Sequence, residues 1–216
     1  MIYKENIPNL PNIKDTLVPK DYDNLYMDIS YDVQIRKSKN YGLTEQFAEQ
    51  CIEQLKKRPY YLIQLAKIFE VKNIAEVGTA EGLQFFSFAK YAKEIGGHVW
   101  SCDIKDVRNK EYSIKYGENT TFCLGDSAIL SEKIDKKIDM FYIDGAHDYG
   151  SVIKDIINLK KHQSENPIWI FDDYDERFGC YSDIKRICDA KKSFKYFVGN
   201  TASGYPNHQA LIVGKL

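Results

Sequence analysis

Three aspartates and a histidine in the second half of the chain are residue types that metal-assisted chemistry uses. Asp144 and His147 share the segment IDGAHDY, and Asp172 and Asp173 share the segment FDDYD. Each segment follows a short apolar run typical of a buried strand. Clustered carboxylates repel one another unless a cation lies between them, and a hard ion such as Mg²⁺ prefers oxygen ligands. The pattern favours a divalent-metal site, although aspartates that follow a strand also commonly cap turns.

A second segment with chemical potential is Glu76-Val77-Gly78-Thr79-Ala80-Glu81-Gly82, which follows the first apolar run. Gly78 would let the backbone turn tightly, and Gly82 would let a helix start close to the strand. A dinucleotide site would present Gly-x-Gly-x-x-Gly to a pyrophosphate, whose negative charge Glu76 would repel. The segment therefore predicts a cofactor with a cationic group and argues against a nicotinamide-dependent oxidoreductase.

Two more acidic residues follow the next two apolar runs. Asp103 lies about 20 residues past the glycine loop, the distance at which nucleotide-binding folds place a ribose-binding carboxylate. Asp126 and Ser127 follow the third run. Each aspartate alone could be a solvated strand end. Three acidic strand ends in sequence order, beginning with Glu76, predict a nucleotide-type crevice.

With these positions, the chain resembles the class I S-adenosylmethionine-dependent methyltransferases, whose motif is an acidic residue, a glycine and a second glycine four residues later. The resemblance implies that Asp103 binds the ribose of S-adenosylmethionine and that Asp126 and Ser127 contact its adenine. The residues implied at the amino-acid end of the cofactor are Glu76, Gly78, Thr79 and Gly82.

The aspartate segments resemble a narrower branch of that family over roughly residues 60 to 180. This branch comprises small bacterial and phage methyltransferases related to metal-dependent sugar O-methyltransferases and cephalosporin-hydroxylase-like proteins. The resemblance implies that Asp144, Asp172 and Asp173 bind the metal, that Asp144 is also catalytic, and that His147 is a general base. Metal binding would lower the pKa of an acceptor hydroxyl, and an imidazole could take its proton. His147 could instead only hydrogen-bond within its loop.

Seven apolar runs alternate with helical patterns along the chain. The runs are residues 74–77, 99–102, 121–124, 140–143, 168–171, 196–198 and 210–213. They predict an α/β, Rossmann-like, doubly wound and mostly parallel seven-stranded sheet with helices on both faces. The last two runs lack a crossover helix, which predicts an antiparallel last strand reached through a loop around Gly204 and Pro206. Thr44 and Ser151 are the predicted N-caps of two helices.

The domain prediction is an irregular N-terminal arm over residues 1–40 and a methyltransferase domain over residues 41–216. The arm is rich in Asn, Asp, Pro and Tyr and lacks a steady apolar period.

Composition limits the partners and the compartment. Lys plus Arg number 30 and Asp plus Glu number 31, so no overall positive field attracts nucleic acid or an anionic membrane. No segment has the length and apolarity of a membrane span or signal peptide. Five cysteines without a Cys-x-x-Cys pair predict free thiols and a cytoplasmic location. The sequence leaves a homo-oligomer open.

These observations predict an S-adenosylmethionine-dependent O-methyltransferase that acts, with Mg²⁺ or another hard divalent ion, on a hydroxyl of a sugar or small metabolite. One alternative acceptor is a catechol-like phenol. An alternative of another class is a non-catalytic nucleotide- or S-adenosylmethionine-binding scaffold, since fold alone does not establish activity.

Overall fold

The computed structural model describes the backbone of residues 17–19, 22, 31–55, 57–200 and 205–216. Its strands are β1 (Asn73–Val77), β2 (His98–Asp103), β3 (Thr120–Leu124), β4 (Ile138–Ile143), β5 (Gln163–Phe171), β6 (Ser193–Asn200) and β7 (Pro206–Val213). Its helices are α1 (Tyr31–Asn40), α2 (Glu45–Leu55), α3 (Lys57–Ile68), α4 (Leu83–Ile95), α5 (Lys110–Lys115), α6 (Ser127–Lys133), α7 (Ser151–Leu159) and α8 (Tyr181–Ala190).

The seven strands form one sheet in the order β3-β2-β1-β4-β5-β7-β6. The first five strands of the chain run parallel, and β7 is antiparallel to both of its neighbours. The predicted doubly wound sheet with an antiparallel last strand is confirmed. Because β1 lies between β2 and β4, the strand order reverses there, and ligands of such sheets bind at the carboxyl ends beside this reversal.

The core consists of two layers, one on each face of the sheet. Ile74 and Met140 pack with α3 and α4 on one face, whereas Ala75 and Phe141 pack with α6, α7 and α8 on the other. This division follows from the two-residue alternation of side chains along a strand. It determines which side chains near the strand ends can meet.

One of the two predicted helix caps is confirmed. The backbone N–H of Phe47 donates to Thr44 Oγ1 at 3.3 Å, as an N-cap requires. The prediction that Ser151 caps α7 is wrong, because Gly150 occupies the cap position with a φ of 83°. The Ser151 hydroxyl instead donates to the carbonyls of Ala146 and Asp148, both at 2.6 Å.

The irregular arm predicted over residues 1–40 is wrong for its last ten residues, which form α1. Backbone N–H groups of Tyr41 and Gly42 close the end of this helix. This helix packs against α2, and such packing can stabilise a short helix whose sequence lacks the steady apolar period on which the prediction relied. Of the earlier residues, Pro19 and Tyr22 line a cleft against α3 and α4. The other arm residues, and residues 201–204 with the predicted turn glycine, lie outside the described residues.

The cysteine prediction holds for the thiols that the structure describes. Cys102, Cys123 and Cys180 are free and buried, and Cys188 is free and partly buried. Within the described part of the chain, no helix is long and apolar enough to cross a membrane.

Candidate active site

The glycine loop links β1 to α4 through residues with left-handed backbone conformations. Gly78 has a φ of 93° and Gly82 a φ of 96°, values that favour glycine. A Cβ at Gly78 would lie 2.0 Å from the carbonyl oxygen of Asp144, and one at Gly82 would lie 2.4 Å from the Phe86 ring. Gly78 is therefore required for close packing against backbone as well as for conformation, whereas a side chain at Gly82 would have to displace the Phe86 ring.

Glu76, on β1 before the loop, is only 1% exposed. Ser101 Oγ donates to Glu76 Oε2 at 2.6 Å, and Thr79 Oγ1 lies 2.6 Å from the same hydroxyl. Burial raises the pKa of Glu76 to about 8; the Ser101 hydrogen bond opposes this shift and Asp103 adds to it. Glu76 is therefore largely protonated at neutral pH, and a cationic ligand group beside it would favour the ionised form.

Asp103 and Asp126 lie at the carboxyl ends of the next two strands. Asp103 accepts hydrogen bonds from the backbone N–H groups of Ala80 at 2.8 Å and Lys105 at 3.1 Å, which ties it to the glycine loop. Asp126 caps α6 and pairs with Lys154 at 2.7 Å. We call Glu76, residues 78–82, Asp103 and Asp126 the cofactor edge.

Ser127, the other predicted adenine contact, is fully buried. Its hydroxyl donates to Asp155 Oδ1 at 2.5 Å and accepts from Asn158 Nδ2 at 2.9 Å. Both partners lie on α7, so this side chain joins α6 to α7.

Strand alternation brings two of the predicted metal ligands to the same face. Asp144 lies two residues after Tyr142 of β4, and Asp172 lies two residues after Ile170 of β5. Tyr142 and Ile170 both pack on the α3 and α4 face, and side chains two residues apart share a face. The Tyr142 hydroxyl lies 3.3 Å from Asp144 Oδ2 and 3.2 Å from Asp172 Oδ2, so it joins the two carboxylates.

Asp172 is 4% exposed, and side chains from other elements donate to it. Arg58 Nη1, on the first turn of α3, lies 2.8 Å from Asp172 Oδ2. Asn207 Nδ2, on β7, lies 3.3 Å from Asp172 Oδ1. Gln209, two residues later on β7, donates to the Tyr142 hydroxyl at 3.1 Å. These contacts fix Asp172 between a helix and two strands.

His147 pairs with Asp173 rather than with the other aspartates. His147 Nε2 lies 2.6 Å from Asp173 Oδ2, and Asn207 Nδ2 donates to Asp173 Oδ1 at 2.9 Å. Asp173 has a φ of 55°, a left-handed conformation that aspartate adopts more readily than most residues. This turn aims the Asp173 carboxylate at His147. We call Asp144, His147, Asp172 and Asp173 the acidic cluster.

The loop that carries His147 is held by the start of α8. The His147 ring contacts the Phe178 ring edge-on, with centroids 5.1 Å apart. The His147 carbonyl accepts from the Cys180 N–H at 2.8 Å. Asp183, buried on α8, accepts from the Gly150 N–H at 2.7 Å. The loop of the half-exposed imidazole is thus held by one ring contact and two hydrogen bonds.

The acidic cluster carries more negative charge than its neighbours compensate. Burial, followed by Asp172 and Asp173, raises the pKa of Asp144 well above its usual range, although Arg58 opposes this. Burial and Asp172 also raise the pKa of Asp173, against the effect of His147. The hydrogen bond to Asp173 in turn raises the pKa of His147. The cluster therefore favours the uptake of a proton or another cation.

The part of the chain that carries both the glycine loop and the acidic cluster is similar to a known protein family. Residues 75–174 match a family model described as "Methyltransferase domain". The match begins on β1 and ends just beyond the acidic cluster. Residues 75–174 form a methyltransferase domain. The seven-stranded sheet, to which these residues contribute β2 to β5 and most of β1, has the class I methyltransferase fold, and the predicted S-adenosylmethionine-dependent methyltransferase is confirmed.

Solved structures share the fold of the methyltransferase domain and the elements around it. One is the O-methyltransferase TomG from Streptomyces achromogenes, which is involved in tomaymycin synthesis and was solved with S-adenosylmethionine. It matches with a TM-score of 0.61 and 11% identity, over 88% of this chain and 95% of TomG. An O-methyltransferase from Bacillus cereus, solved with S-adenosylhomocysteine, matches with a TM-score of 0.60 and 15% identity. The match covers 93% of this chain and 94% of that protein.

A third structure has a different methyl acceptor atom. The N-methyltransferase NodS from Bradyrhizobium japonicum, solved with S-adenosylhomocysteine, has a TM-score of 0.58 and 15% identity, covering 89% of this chain and 99% of its own. No curated protein matches the chain. At these identities the likeness is one of fold, so the acceptor has to be inferred from the site.

The donor atoms of the methyltransferase domain fit a divalent cation. Asp144, His147 and Asp173 each offer one ligand atom, and these atoms all lie within 4.8 Å of one another. Carboxylate oxygens suit Mg²⁺, and a bound cation would oppose the rise in the pKa of Asp144 that burial and then Asp172 and Asp173 cause. Asp172, the third predicted ligand, already accepts three hydrogen bonds, two on Oδ2 and one on Oδ1, which leaves it about one free lone-pair site.

Sequence reasoning missed four residues that build the acidic cluster. They are Arg58, Tyr142, Asn207 and Gln209. Alternation could have identified Tyr142, which lies two residues before Asp144 on the same strand. Polar residues at alternate positions in a buried β7 were a weaker signal for Asn207 and Gln209. No pattern in the sequence pointed to Arg58.

Proposed function

We propose that this methyltransferase O-methylates a hydroxyl of a sugar or other small metabolite, with one divalent ion held by the acidic cluster. The observation that carries the proposal is the 2.6 Å pair between His147 Nε2 and Asp173 Oδ2, in a cluster that touches the glycine loop at Gly78. The loop that carries the proposed proton acceptor therefore contacts the glycine loop through the backbone of Asp144.

The cofactor edge fits S-adenosylmethionine in charge and in hydrogen bonding. Glu76 can pair with a cationic amino-acid end. Asp103 uses backbone N–H donors and keeps acceptor capacity for ribose hydroxyls, as a carboxylate has about four lone-pair sites. Asp126 stands at the end of β3, where we propose that it contacts the adenine.

Bound S-adenosylmethionine supplies a methyl group on a sulfonium, and bound Mg²⁺ supplies a Lewis acid that lowers the pKa of a hydroxyl. Asp144 and Asp173 provide carboxylate oxygens for the ion. Asp173 accepts from His147 Nε2, which orients the ring and leaves Nδ1 to take the hydroxyl proton, as in other histidine–carboxylate pairs. The contacts of the loop between β4 and α7 with Phe178, Cys180 and Asp183 hold this base in place, and accurate placement contributes strongly to rate.

The charge of the acidic cluster supports a neutral acceptor. Three carboxylates face one arginine, so a phosphate-rich acceptor would be repelled until a divalent ion neutralises the remaining charge, and even then it would compete with the carboxylates for that ion. A sugar hydroxyl or a catechol-like phenol avoids this penalty. We therefore propose a small neutral acceptor and expect no nucleic-acid substrate.

Two measurements test the proposal. Calorimetry with S-adenosylmethionine, in Mg²⁺ and in EDTA, should give cofactor binding in both conditions. Release of S-adenosylhomocysteine should then be assayed with a panel of sugars and catechols, and activity that requires Mg²⁺ is expected with sugars. Turnover with catechols alone would select the phenol alternative. Cofactor binding without turnover on any acceptor would favour the scaffold alternative, and no cofactor binding would overturn the proposal.

A further inference from the structure

Arg58 and Asp172 form an ion pair removed from solvent. Arg58 Nη1 lies 2.8 Å from Asp172 Oδ2, and the two side chains are 12% and 2% exposed. Tyr142 reaches the same oxygen and Asn207 reaches the other one. Asp172 therefore already has one positively charged partner, Arg58, and accepts hydrogen bonds from three side chains.

Asp144 and Asp173 have less compensation. Asp144 receives a hydrogen bond from the Tyr142 hydroxyl at 3.3 Å, and that hydroxyl has one proton to share between Asp144 and Asp172. Asp173 pairs with His147 and accepts a hydrogen bond from Asn207. The negative charge that still needs a cation thus lies on Asp144 and Asp173.

We infer that Arg58 is the permanent counter-ion of Asp172 and keeps that carboxylate out of the metal shell, so that one divalent ion binds through Asp144 and Asp173. Arg58 is then a positioning residue that acts on the ion through Asp172. This inference rests on the proposed metal site and narrows the ligand set implied by the family resemblance.

The charges of Arg58 and Asp172 act together on a bound ion. A fixed positive charge beside the ion weakens its binding, and the charge of Asp172 offsets that effect only while the pair is intact. Removal of Arg58 alone would release Asp172 as a third carboxylate for the ion. Removal of the charges of both Arg58 and Asp172 would leave Asp144 and Asp173 as the two carboxylates that bind the ion.

Calorimetric titration with Mn²⁺, in the presence of S-adenosylmethionine, tests this. Arg58→Met should bind Mn²⁺ at least tenfold more tightly than the unmodified protein. The double variant Arg58→Met/Asp172→Asn should have a Mn²⁺ affinity within about threefold of that of the unmodified protein. Asp144→Asn and Asp173→Asn should each weaken binding at least thirtyfold. Lys57→Met, which removes a charge from the same helical turn, should change the affinity by less than about threefold.

The double variant protects the test from misfolding, since Arg58→Met leaves a buried carboxylate unpaired and could unfold the chain. If the folded double variant loses Mn²⁺ affinity as strongly as Asp144→Asn, Asp172 is a ligand and the inference is overturned. If the unmodified protein binds S-adenosylmethionine but no Mn²⁺, the metal proposal and this inference both fail, while the methyltransferase assignment stands.

Discussion

At the cofactor edge, Asp103 and Asp126 accept hydrogen bonds from backbone N–H groups, whereas Asp172 in the acidic cluster accepts them from the side chains of Arg58, Tyr142 and Asn207. Backbone donors persist whatever side chains the neighbouring residues carry. Side-chain donors are lost with single substitutions. The positions of Asp103 and Asp126 are therefore held largely by the backbone, although Glu76 depends on the side chain of Ser101. The position of Asp172 depends on three side chains from other parts of the chain.

The largest effect should come from His147→Gln in the acidic cluster. Loss of a positioned general base typically lowers a rate 10²- to 10⁴-fold. We expect kcat for methyl transfer to fall by that factor, with S-adenosylmethionine affinity within about threefold, because the cofactor edge does not use this ring. Equal losses in kcat and cofactor affinity would contradict this separation of the two regions.

Gly78→Ala should damage both regions at once. The new Cβ would lie 2.0 Å from the Asp144 carbonyl oxygen and would occupy an unfavourable positive φ. We expect a loss of roughly 2–5 kcal/mol in the free energy of unfolding, measured by urea titration. Gly96→Ala is the matched control, because Gly96 has a φ of 70° but open space around its Cβ, and strain alone should cost about 1 kcal/mol. Equal losses in the free energy of unfolding at the two positions would show that the contact with Asp144 does not destabilise the Gly78→Ala variant.

Glu76→Gln should change how stability depends on pH. Between pH ~5 and ~8 the folded protein holds a proton on Glu76 that the unfolded chain has lost, because the folded pKa is about 8. Each pH unit in this window therefore costs up to about 1.4 kcal/mol of stability, and the loss ends above the folded pKa. The variant should lose this contribution, so thermal unfolding at pH 6 and pH 8.5 should differ less than in the unmodified protein. Glu132→Gln, on exposed surface, should leave the difference unchanged.

The smallest effect concerns Asp126→Ala. Loss of this N-cap of α6 should cost about 1 kcal/mol in chemical denaturation. The exposed pair with Lys154 should add little. Asp189→Ala breaks an equally short exposed pair with Lys185 but removes no cap, and should cost less than about 0.5 kcal/mol. If the two costs match, the cap does not stabilise α6.

The two regions also differed in how far the sequence predicted them. Glu76, Gly78 and Asp103 belong to one strand–loop–helix unit and its neighbour, so local spacing located them and the seven strands. Arg58 lies 114 residues from Asp172, and no local rule joins them. Ser151 was misassigned because the same hydroxyl can cap a helix or hydrogen-bond to the preceding loop, and only the backbone at Gly150 decides between these.

The antiparallel direction of β7 has a consequence for the order in which the chain is made. Ala210 pairs with Phe171, so the beginning of β7 lies beside the end of β5 and delivers Asn207 and Gln209 to the acidic cluster. A growing polypeptide can complete the cofactor edge long before these residues exist. During synthesis, the acidic side chains would lack these last neutral partners until residue 207, which lies 34 residues after Asp173, and residue 209 have been translated.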